Sequence, residues 1–204
     1  MAGISIATLE NAVKIVNASM TTLEAELNAA DSKLGDGDTG VMLARVLGKF
    51  GETDISGSDD LGSAFQTLAR AAASATGSSL GTLFATALLT IGKATKGRET
   101  AEWSELSALL QAALDAMIQR GGASVGDKTV LDALDAVVKA TAGLNAAALI
   151  AAEASKAANT TLDAFRDKPC KIGRARMFAE KSMGIDDPGM LGFVRLVDAL
   201  ASKH

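Results

Sequence analysis

Apolar residues recur at alternating spacings of four and three along most of this chain, and no proline interrupts the pattern before residue 169. The first such stripe is Leu9, Val13, Val16, Met20, Leu23 and Leu27. This spacing places all six side chains on one face of an amphipathic helix. Seven further segments repeat the period, including an Ala-rich one over about 145–165. We therefore predict an all-α chain of eight helices with no strand.

Composition supports this prediction and narrows the class of protein. Aromatic residues make up only 3% of the 204 residues, which argues against a β-sandwich or barrel. A hydrophobic content of 48% with 22% charged residues is typical of one soluble globular domain spanning 1–204. The net charge is −4 and no Lys/Arg cluster stands out, so nonspecific nucleic-acid binding is not expected.

The expected location is the cytoplasm. The single cysteine, Cys170, cannot form an internal disulfide, which favours a reducing compartment. The N-terminus lacks the pattern of a signal peptide, and the most apolar window, 80–92, is too short to span a membrane.

Four of the connections between predicted helices are rich in glycine or long. They cover residues 33–40, 75–82, 120–128 and 166–189, and they precede the second, fourth, sixth and eighth helices. Short connections make sequential helices run antiparallel, so alternate connections lie at the same end of the array. All four segments are therefore expected to gather at one end.

Three carboxylates, Asp31, Asp36 and Asp38, form the strongest chemical signal. Carboxylates this close in sequence repel one another unless a cation joins them, and Mg²⁺ prefers oxygen ligands. The alternative is a solvated acidic turn in which an aspartate caps the next helix. An EF-hand is excluded, because Gly40 occupies its third ligand position.

Two glycine-rich strings match nucleotide-binding motifs but lack their context. Residues 35–40 (GDGDTG) fit the dinucleotide fingerprint, and residues 121–129 (GGASVGDKT) are one residue away from a P-loop. Both motifs require a preceding strand, whereas helical stripes precede both strings here. We interpret both as coincidental matches.

Other polar residues at this end have two possible roles. Gly77, Ser78, Ser79 and Gly81 precede a helix and could offer N–H groups and hydroxyls to an anion, or serve as an ordinary N-cap. Arg174 could reach a phosphate or lie on the surface. Cys170 has no neighbouring histidine, and the only histidine, His204, is terminal, so neither predicts nucleophilic catalysis.

Taken together, these segments resemble the nucleotide-binding L subunit of dihydroxyacetone kinases, the DhaL family. The resemblance is carried in order by Asp31-x4-Asp36-x-Asp38-x-Gly40, by GSSLGTLF at 77–84, by Arg120-Gly121 with Gly126-Asp127-Lys128-Thr129, by Gly173-Arg174-Ala175 and by Asp187-Pro188-Gly189. It covers essentially the whole chain, and the order of the five pieces makes it specific.

The resemblance implies an eight-helix antiparallel barrel that binds ADP or ATP at one end through two Mg²⁺ ions, held by Asp31, Asp36 and Asp38. The residues implied to approach the nucleotide are Thr39, Gly40, Met42, Ser78, Ser79, Leu80, Gly121, Thr129, Val130, Arg174, Asp187 and Gly189. It also implies a separate DhaK-type subunit that binds the ketose through a histidine this chain does not supply.

At four positions the sequence differs from the usual residues of the family, and these differences help to predict which compound donates the phosphoryl group. Thr39 and Met42 stand where phosphotransferase-dependent subunits usually have His and Asn, while Leu80 and Ile185 replace a frequent Ser and His. Asp-Gly-Asp-Thr-Gly is more similar to the ATP-dependent kinases, so ATP is the favoured donor. The alternatives are a retained ADP that a DhaM-type phosphocarrier rephosphorylates, and a nucleotide-binding regulatory module. Related kinases also act on other short ketoses such as erythrulose.

Overall fold

The computed structural model describes residues 3–172 and 174–203, without the side chains at 174, 175, 177 and 178. Within these residues the chain forms eight α-helices: α1 (Ile6–Asp31), α2 (Thr39–Gly51), α3 (Leu61–Ala75), α4 (Ser79–Ala94), α5 (Leu106–Gly121), α6 (Val130–Thr141), α7 (Ala147–Arg166) and α8 (Pro188–Ala201). Two 3₁₀ segments lie at Trp103–Glu105 and Arg174–Ser182. The all-α prediction is confirmed.

The prediction of no strand was wrong in one respect. β1 (Ile4–Ser5) pairs antiparallel with β2 (Thr100–Ala101), which places the N-terminal end of α1 against the chain that follows α4. Two residues per strand are too few to produce an alternating sequence pattern, so periodicity does not detect such a pair.

The helices form a closed ring. Each helix packs on the next in sequence, and α8 packs on α1. The inward stripe of α1 is buried as predicted at Val13, Met20 and Leu27. An apolar cavity of about 150 Å³ lies inside the ring, lined by side chains of α2, α4, α5, α6 and α8. Across the part of the chain that the structure describes, every helix is too short or too polar to cross a bilayer.

The segments expected at one end of the ring do meet there. Leu34, in the turn between α1 and α2, is buried against Cys170 and Ile185 from the connection between α7 and α8. The starts of α4 and α6 line one cavity together with the end of α5. The helix ends therefore bring together residues that lie more than a hundred positions apart.

Candidate functional site

The three aspartates between α1 and α2 converge. One carboxylate oxygen from each of Asp31, Asp36 and Asp38 lies within 4.8 Å of the others. Asp31 is 8% exposed, whereas the other two are exposed at the end of the ring. Negative oxygens held this close repel one another, and a hard divalent cation offsets that repulsion. The donor set therefore fits Mg²⁺, which takes oxygen ligands and keeps positions for water or phosphate.

Asp31 also organises the turn that follows it. Its Oδ2 accepts hydrogen bonds from the backbone N–H groups of Asp38 at 2.8 Å and Thr39 at 3.2 Å. Asp38 is the N-cap of α2 but makes no side-chain capping bond. The capping that the sequence offered as the alternative to a metal site is therefore present, and it is made by Asp31. The Asp38 carboxylate is thus not used for capping.

A second side chain of α1, Asn28, accepts hydrogen bonds from the first turn of α2. Asn28 Oδ1 accepts from the N–H groups of Gly40 at 2.8 Å and Val41 at 3.1 Å. A Cβ at Gly40 would overlap the carbonyl oxygen of Glu24, so only glycine allows the two helices to approach this closely. Sequence reasoning missed Asn28, although its position one helical turn before Asp31 places both side chains on one face of α1.

The start of α4 has a different arrangement. Ser78 is its N-cap, and the Ser78 hydroxyl accepts from the N–H of Gly81 at 3.0 Å. A Cβ at Gly81 would overlap the Thr76 side chain, which fixes the turn that leads into the helix. The N–H groups of Ser79 and Leu80 occupy the first two helical positions, which have no acceptor within a helix. They are placed to meet an anion.

A cavity of about 720 Å³ opens beside the start of α4. Five of the residues predicted for the site line it: Ser78, Ser79, Gly121, Thr129 and Val130. Arg120 and Arg176 also line it, and sequence reasoning did not single out either one as a site residue. Their guanidinium groups give the cavity a positive character that suits an anionic ligand.

The remaining predicted residues are placed differently. Leu80 and Gly189 lie side by side and line the apolar interior rather than this cavity. Met42 is 6% exposed, and its side chain packs in the main apolar core. The Arg174 side chain and Gly173 lie outside the described residues.

Asp187 starts α8 and has a perturbed pKa. Its carboxylate accepts from the N–H of Met190 at 2.7 Å. Burial raises the pKa of Asp187 to about 6, while the Met190 hydrogen bond and the Lys128 ammonium oppose this rise and the Asp132 carboxylate adds to it. An acid that titrates near neutral pH often marks a functional site.

The lysine of the string that is similar to a P-loop is buried. Helix α5 precedes it rather than a strand, as the sequence predicted. Asp132 accepts from the N–H groups of Gly126 and Thr129 and shapes the loop into the start of α6. Lys128 points into the protein, where its Nζ meets backbone carbonyls. The GDGDTG string likewise follows helix α1 and not a strand.

The chain is similar to known proteins in sequence and in fold. Residues 33–202 match the sequence model described as the DAK2 domain. The chain is 33% identical over 184 residues to the L-erythrulose 1-kinase of Mycolicibacterium smegmatis, an alignment that covers 87% of this chain and 32% of that protein. It is 30% identical over 185 residues to the ADP-binding subunit DhaL of the PEP-dependent dihydroxyacetone kinase of Escherichia coli, which covers 87% of this chain and 88% of the subunit.

The fold also matches solved structures of the dihydroxyacetone kinase of C. freundii. The native form superposes with a TM-score of 0.75 and 25% identity, covering 97% of this chain and 34% of the kinase. A second structure of that kinase, in complex with AMP-PNP and Mg²⁺, gives a TM-score of 0.72 at 24% identity. The chain thus spans about a third of the length of the erythrulose kinase and the C. freundii kinase that it matches.

Proposed function

The chain belongs to the DAK2 domain family, which includes the DhaL subunits, and on that premise we propose that residues 1–204 are the nucleotide-binding domain of a kinase for dihydroxyacetone or a related short ketose. The observation that carries this proposal is the convergence of Asp31, Asp36 and Asp38 at the open end of the ring. Asp31 also helps to cap α2, together with Asn28, whereas the Asp38 side chain makes no capping bond.

The three aspartates would hold two Mg²⁺ ions. Asp31 is fixed by the N–H groups of α2, whereas Asp36 and Asp38 are exposed and can adjust to a ligand. When bound, Mg²⁺ supplies neutralising charge for the phosphoryl group during transfer and keeps it in line with the acceptor. The C. freundii kinase, whose fold this chain shares, has been solved in complex with AMP-PNP and Mg²⁺, which supports a site for Mg²⁺ and a nucleotide.

The chain's own residues would bind and orient ADP or ATP. The phosphates are assigned to the aspartate turn, where Thr39 and Gly40 lie, and to the start of α4, where Ser78, Ser79 and Leu80 supply hydroxyl and N–H donors. Gly121, Thr129 and Val130 line the cavity assigned to the adenine side. Arg174, Asp187 and Gly189 are assigned to closing the site. Met42 is assigned to the phosphate side as well, with its side chain packed in the core beside the aspartate turn.

The acceptor would be held by a partner. No described residue of this chain offers a histidine that could bind a ketose covalently, and His204 lies outside the described residues. We therefore assign the ketose to a DhaK-type subunit or domain, and catalysis requires both. The acceptor must come within about 3–3.5 Å of the phosphorus, so the partner has to dock at the metal end of the ring.

ATP is the proposed donor, on the strength of the Asp-Gly-Asp-Thr-Gly turn. A retained ADP that a DhaM-type phosphocarrier rephosphorylates is the second candidate, favoured by the name of the E. coli subunit, which is ADP-binding and PEP-dependent. These candidates differ in whether ATP exchanges into the site. A nucleotide-binding regulatory module would bind the nucleotide without supporting transfer.

A thermal-melt series with ADP, with ATP and with neither, each in Mg²⁺ and in EDTA, tests the proposal. A ligand at ~100 times its dissociation constant adds about 2.7 kcal/mol of stability, which raises the melting temperature by several degrees. We expect a shift that requires both nucleotide and Mg²⁺. Equal stabilisation by ATP and ADP would support ATP as donor, whereas an effect of ADP alone would favour the phosphocarrier route.

The absence of any shift would contradict the proposal, once co-purified nucleotide has been excluded by its absorbance after denaturation. Transfer to dihydroxyacetone with a DhaK-type subunit present, measured on the same preparation, separates the kinase from a regulatory module. Binding without transfer would favour the module.

A further inference from the structure

Lys128 combines two unusual features. It is the only residue other than glycine with a positive φ among the described residues, at 62°. Its side chain is also 1% exposed, which is rare for a lysine. A non-glycine residue in the left-handed region costs free energy and persists only where the surrounding structure holds it. Both features therefore indicate that the direction of this side chain matters.

The Lys128 ammonium is fully matched with acceptors. Its Nζ lies 2.8 Å from each of three backbone carbonyl oxygens, those of Arg166, Lys168 and Ser182. An ammonium has three donor hydrogens, so three acceptors correspond to the protonated form with no hydrogen left for a ligand. Burial lowers the pKa of Lys128, and the nearby carboxylates of Asp187, Asp186 and Asp167 oppose that change.

The three acceptors come from both ends of one segment. We call residues 167–186, between α7 and α8, the closing segment. Arg166 directly precedes it as the last residue of α7, Lys168 lies at its beginning and Ser182 near its end, so one nitrogen atom joins its two ends. Two further hydrogen bonds join the same two ends of the closing segment, which together we call the neck. The Cys170 N–H donates to Ser182 Oγ at 2.8 Å, and the Gly184 N–H donates to the Arg166 carbonyl at 3.0 Å.

The neck is joined to the wall of the cavity through the backbone of Lys128. The next two residues in the chain, Thr129 and Val130, line the cavity and begin α6. Lys171, in the closing segment, donates to the carbonyl of Gly126 from its Nζ at 2.9 Å and to that of Asp127 from its backbone N–H at 3.2 Å. The closing segment carries Ile172 and Arg176, which line the same cavity. The position of Lys128 thus relates two walls of one cavity.

We propose that Lys128 is a positioning residue, whose buried ammonium sets the closing segment against the start of α6 so that the segment completes the nucleotide cavity. This rests on the proposed function of that cavity. Lys128 does not itself contact the nucleotide, because its hydrogens are all directed to carbonyls away from the cavity. It acts as an internal cation held by the chain, in a cage of three carbonyl oxygens.

The first test compares Lys128→Met with Lys139→Met as the matched control. Lys139 is on the outside of α6 with its side chain 73% exposed. We expect Lys128→Met to weaken Mg·ADP binding about tenfold or more, which corresponds to the loss of hydrogen bonds worth about 1.4 kcal/mol. Deuterium uptake should rise within residues 167–186 and stay unchanged in α1 to α3. Lys139→Met should match the wild type in both measurements.

Chemical rescue distinguishes positioning from a general loss of stability. In Lys128→Ala, propylammonium can fill the vacated space and donate to the three carbonyls, whereas tetramethylammonium carries the charge without N–H donors. We expect propylammonium to restore most of the Mg·ADP affinity and the protection of residues 167–186, and tetramethylammonium to restore neither. Ser182→Ala keeps the carbonyl that accepts from Lys128 and removes only the Oγ that accepts from the Cys170 N–H, so it is a milder variant that loosens the same two ends of the closing segment and should shift both measurements in the same direction by less.

Unchanged Mg·ADP affinity in a folded Lys128→Met protein would overturn the proposal, as would a loss of affinity without increased uptake in residues 167–186. Equal rescue by propylammonium and tetramethylammonium would also overturn the proposal. Failure of the wild-type protein to bind Mg·ADP would instead count against the proposed function, so the two failures are distinguishable.

Discussion

Helices α2 and α4 both begin after a glycine-rich turn at the same end of the ring, yet the structure uses the two starts in opposite ways. The first N–H groups of α2 are taken up by Asp31 Oδ2 and Asn28 Oδ1, both from α1. The start of α4 is capped locally by Ser78, and both Ser78 and Ser79 line the large cavity. One start is closed and the other is open to an anion.

The difference between the two helix starts shows how the N-terminus of a helix can lie next to a cation site. An unmatched N-terminus carries partial positive charge that attracts anions and opposes a metal ion nearby. At α2 the carboxylate of Asp31 and the amide oxygen of Asn28 offset that charge, so the turn can present Asp36 and Asp38 to a cation. At α4 no carboxylate is involved in the cap, which leaves the positive end for phosphate.

The largest effect is expected from Asp38→Asn, which removes one of the charged oxygens proposed as Mg²⁺ ligands at the start of α2. Metal affinity commonly falls 10- to 100-fold when even an outer-shell partner is lost, so Mg²⁺-dependent nucleotide binding and phosphoryl transfer should fall at least ~100-fold. Asp38 makes no capping bond, so the melting temperature without ligand should stay near that of the wild type. Titration calorimetry with Mg·ADP and a coupled transfer assay measure the two effects.

Asp59→Asn is the control for that variant, since Asp59 is an exposed carboxylate in the connection between α2 and α3. It should leave binding and transfer unchanged. Full turnover by Asp38→Asn with the partner subunit present would contradict the proposal that the aspartate turn binds Mg²⁺.

The second effect tests the contact that holds the closed start against α1. In Gly40→Ala the new methyl group would overlap the carbonyl of Glu24, and overpacking of this kind costs about 1–3 kcal/mol. Gly48→Ala in the same helix is the matched control, because a Cβ there meets nothing within 4 Å and alanine favours the helix by roughly 0.5–1 kcal/mol. Urea unfolding should therefore give changes of opposite sign for the two variants.

A smaller effect is expected from the polar cap itself. Asn28→Leu removes the acceptor for two N–H groups of α2, and loss of a cap costs about 1–2 kcal/mol. Asn28→Asp keeps an acceptor at the same place and should retain most of the stability measured by urea unfolding. Equal stability of the leucine variant and the wild type would show that the backbone of α2 does not depend on Asn28.

The smallest effect concerns Asp187, which caps a third helix start at this end. Its pKa is about 6 in the folded protein against 3.8 ordinarily, so the folded state binds more protons between these values. Stability of the ligand-free protein should therefore fall as pH rises from about 4 to 6 and then level off. Asp187→Asn, which can still cap α8, should lessen the fall in melting temperature between pH 4.5 and pH 7.

Glu105 does not obscure that window. Its pKa is lowered to about 2 by the hydrogen bonds from Arg98 and the Glu102 N–H, so its contribution is present above pH 4.5 and lost as the pH falls toward 2. A variant Asp187→Asn with the same pH profile as the wild type would show that this carboxyl titrates normally in the folded protein.

Local patterns were sufficient to predict the helices and the end at which the site lies. The stripe ending at Leu27 predicted the buried face of α1, and the segment at 145–165 differs from the observed α7 by one or two residues. Helical period and short connections are properties of neighbouring residues, which is why one sequence suffices for them. The same holds for Asp31, Asp36 and Asp38, since a turn of a few residues keeps them together.

The direction of individual side chains required the tertiary structure. Met42 falls on the buried face of α2 although it lies close in sequence to the aspartates. Lys128 sits in a string that resembles a phosphate loop, and only the packing of residues 166–182 around it shows that it binds carbonyls. Asn28 caps a helix that begins eleven residues later. The hydrogen bonds of Lys128 and Asn28 join residues of different helices and connections, so the local sequence does not show them.

By itself the sequence determined that the chain is helical, that the ring places alternate connections at one end, and that three carboxylates gather there. Only the tertiary structure decided which helix start is closed by acceptors from α1 and which remains open to an anion. The physical reason is that hydrogen-bond donors at a helix start look alike in sequence, while their acceptors come from whichever helix packs beside them.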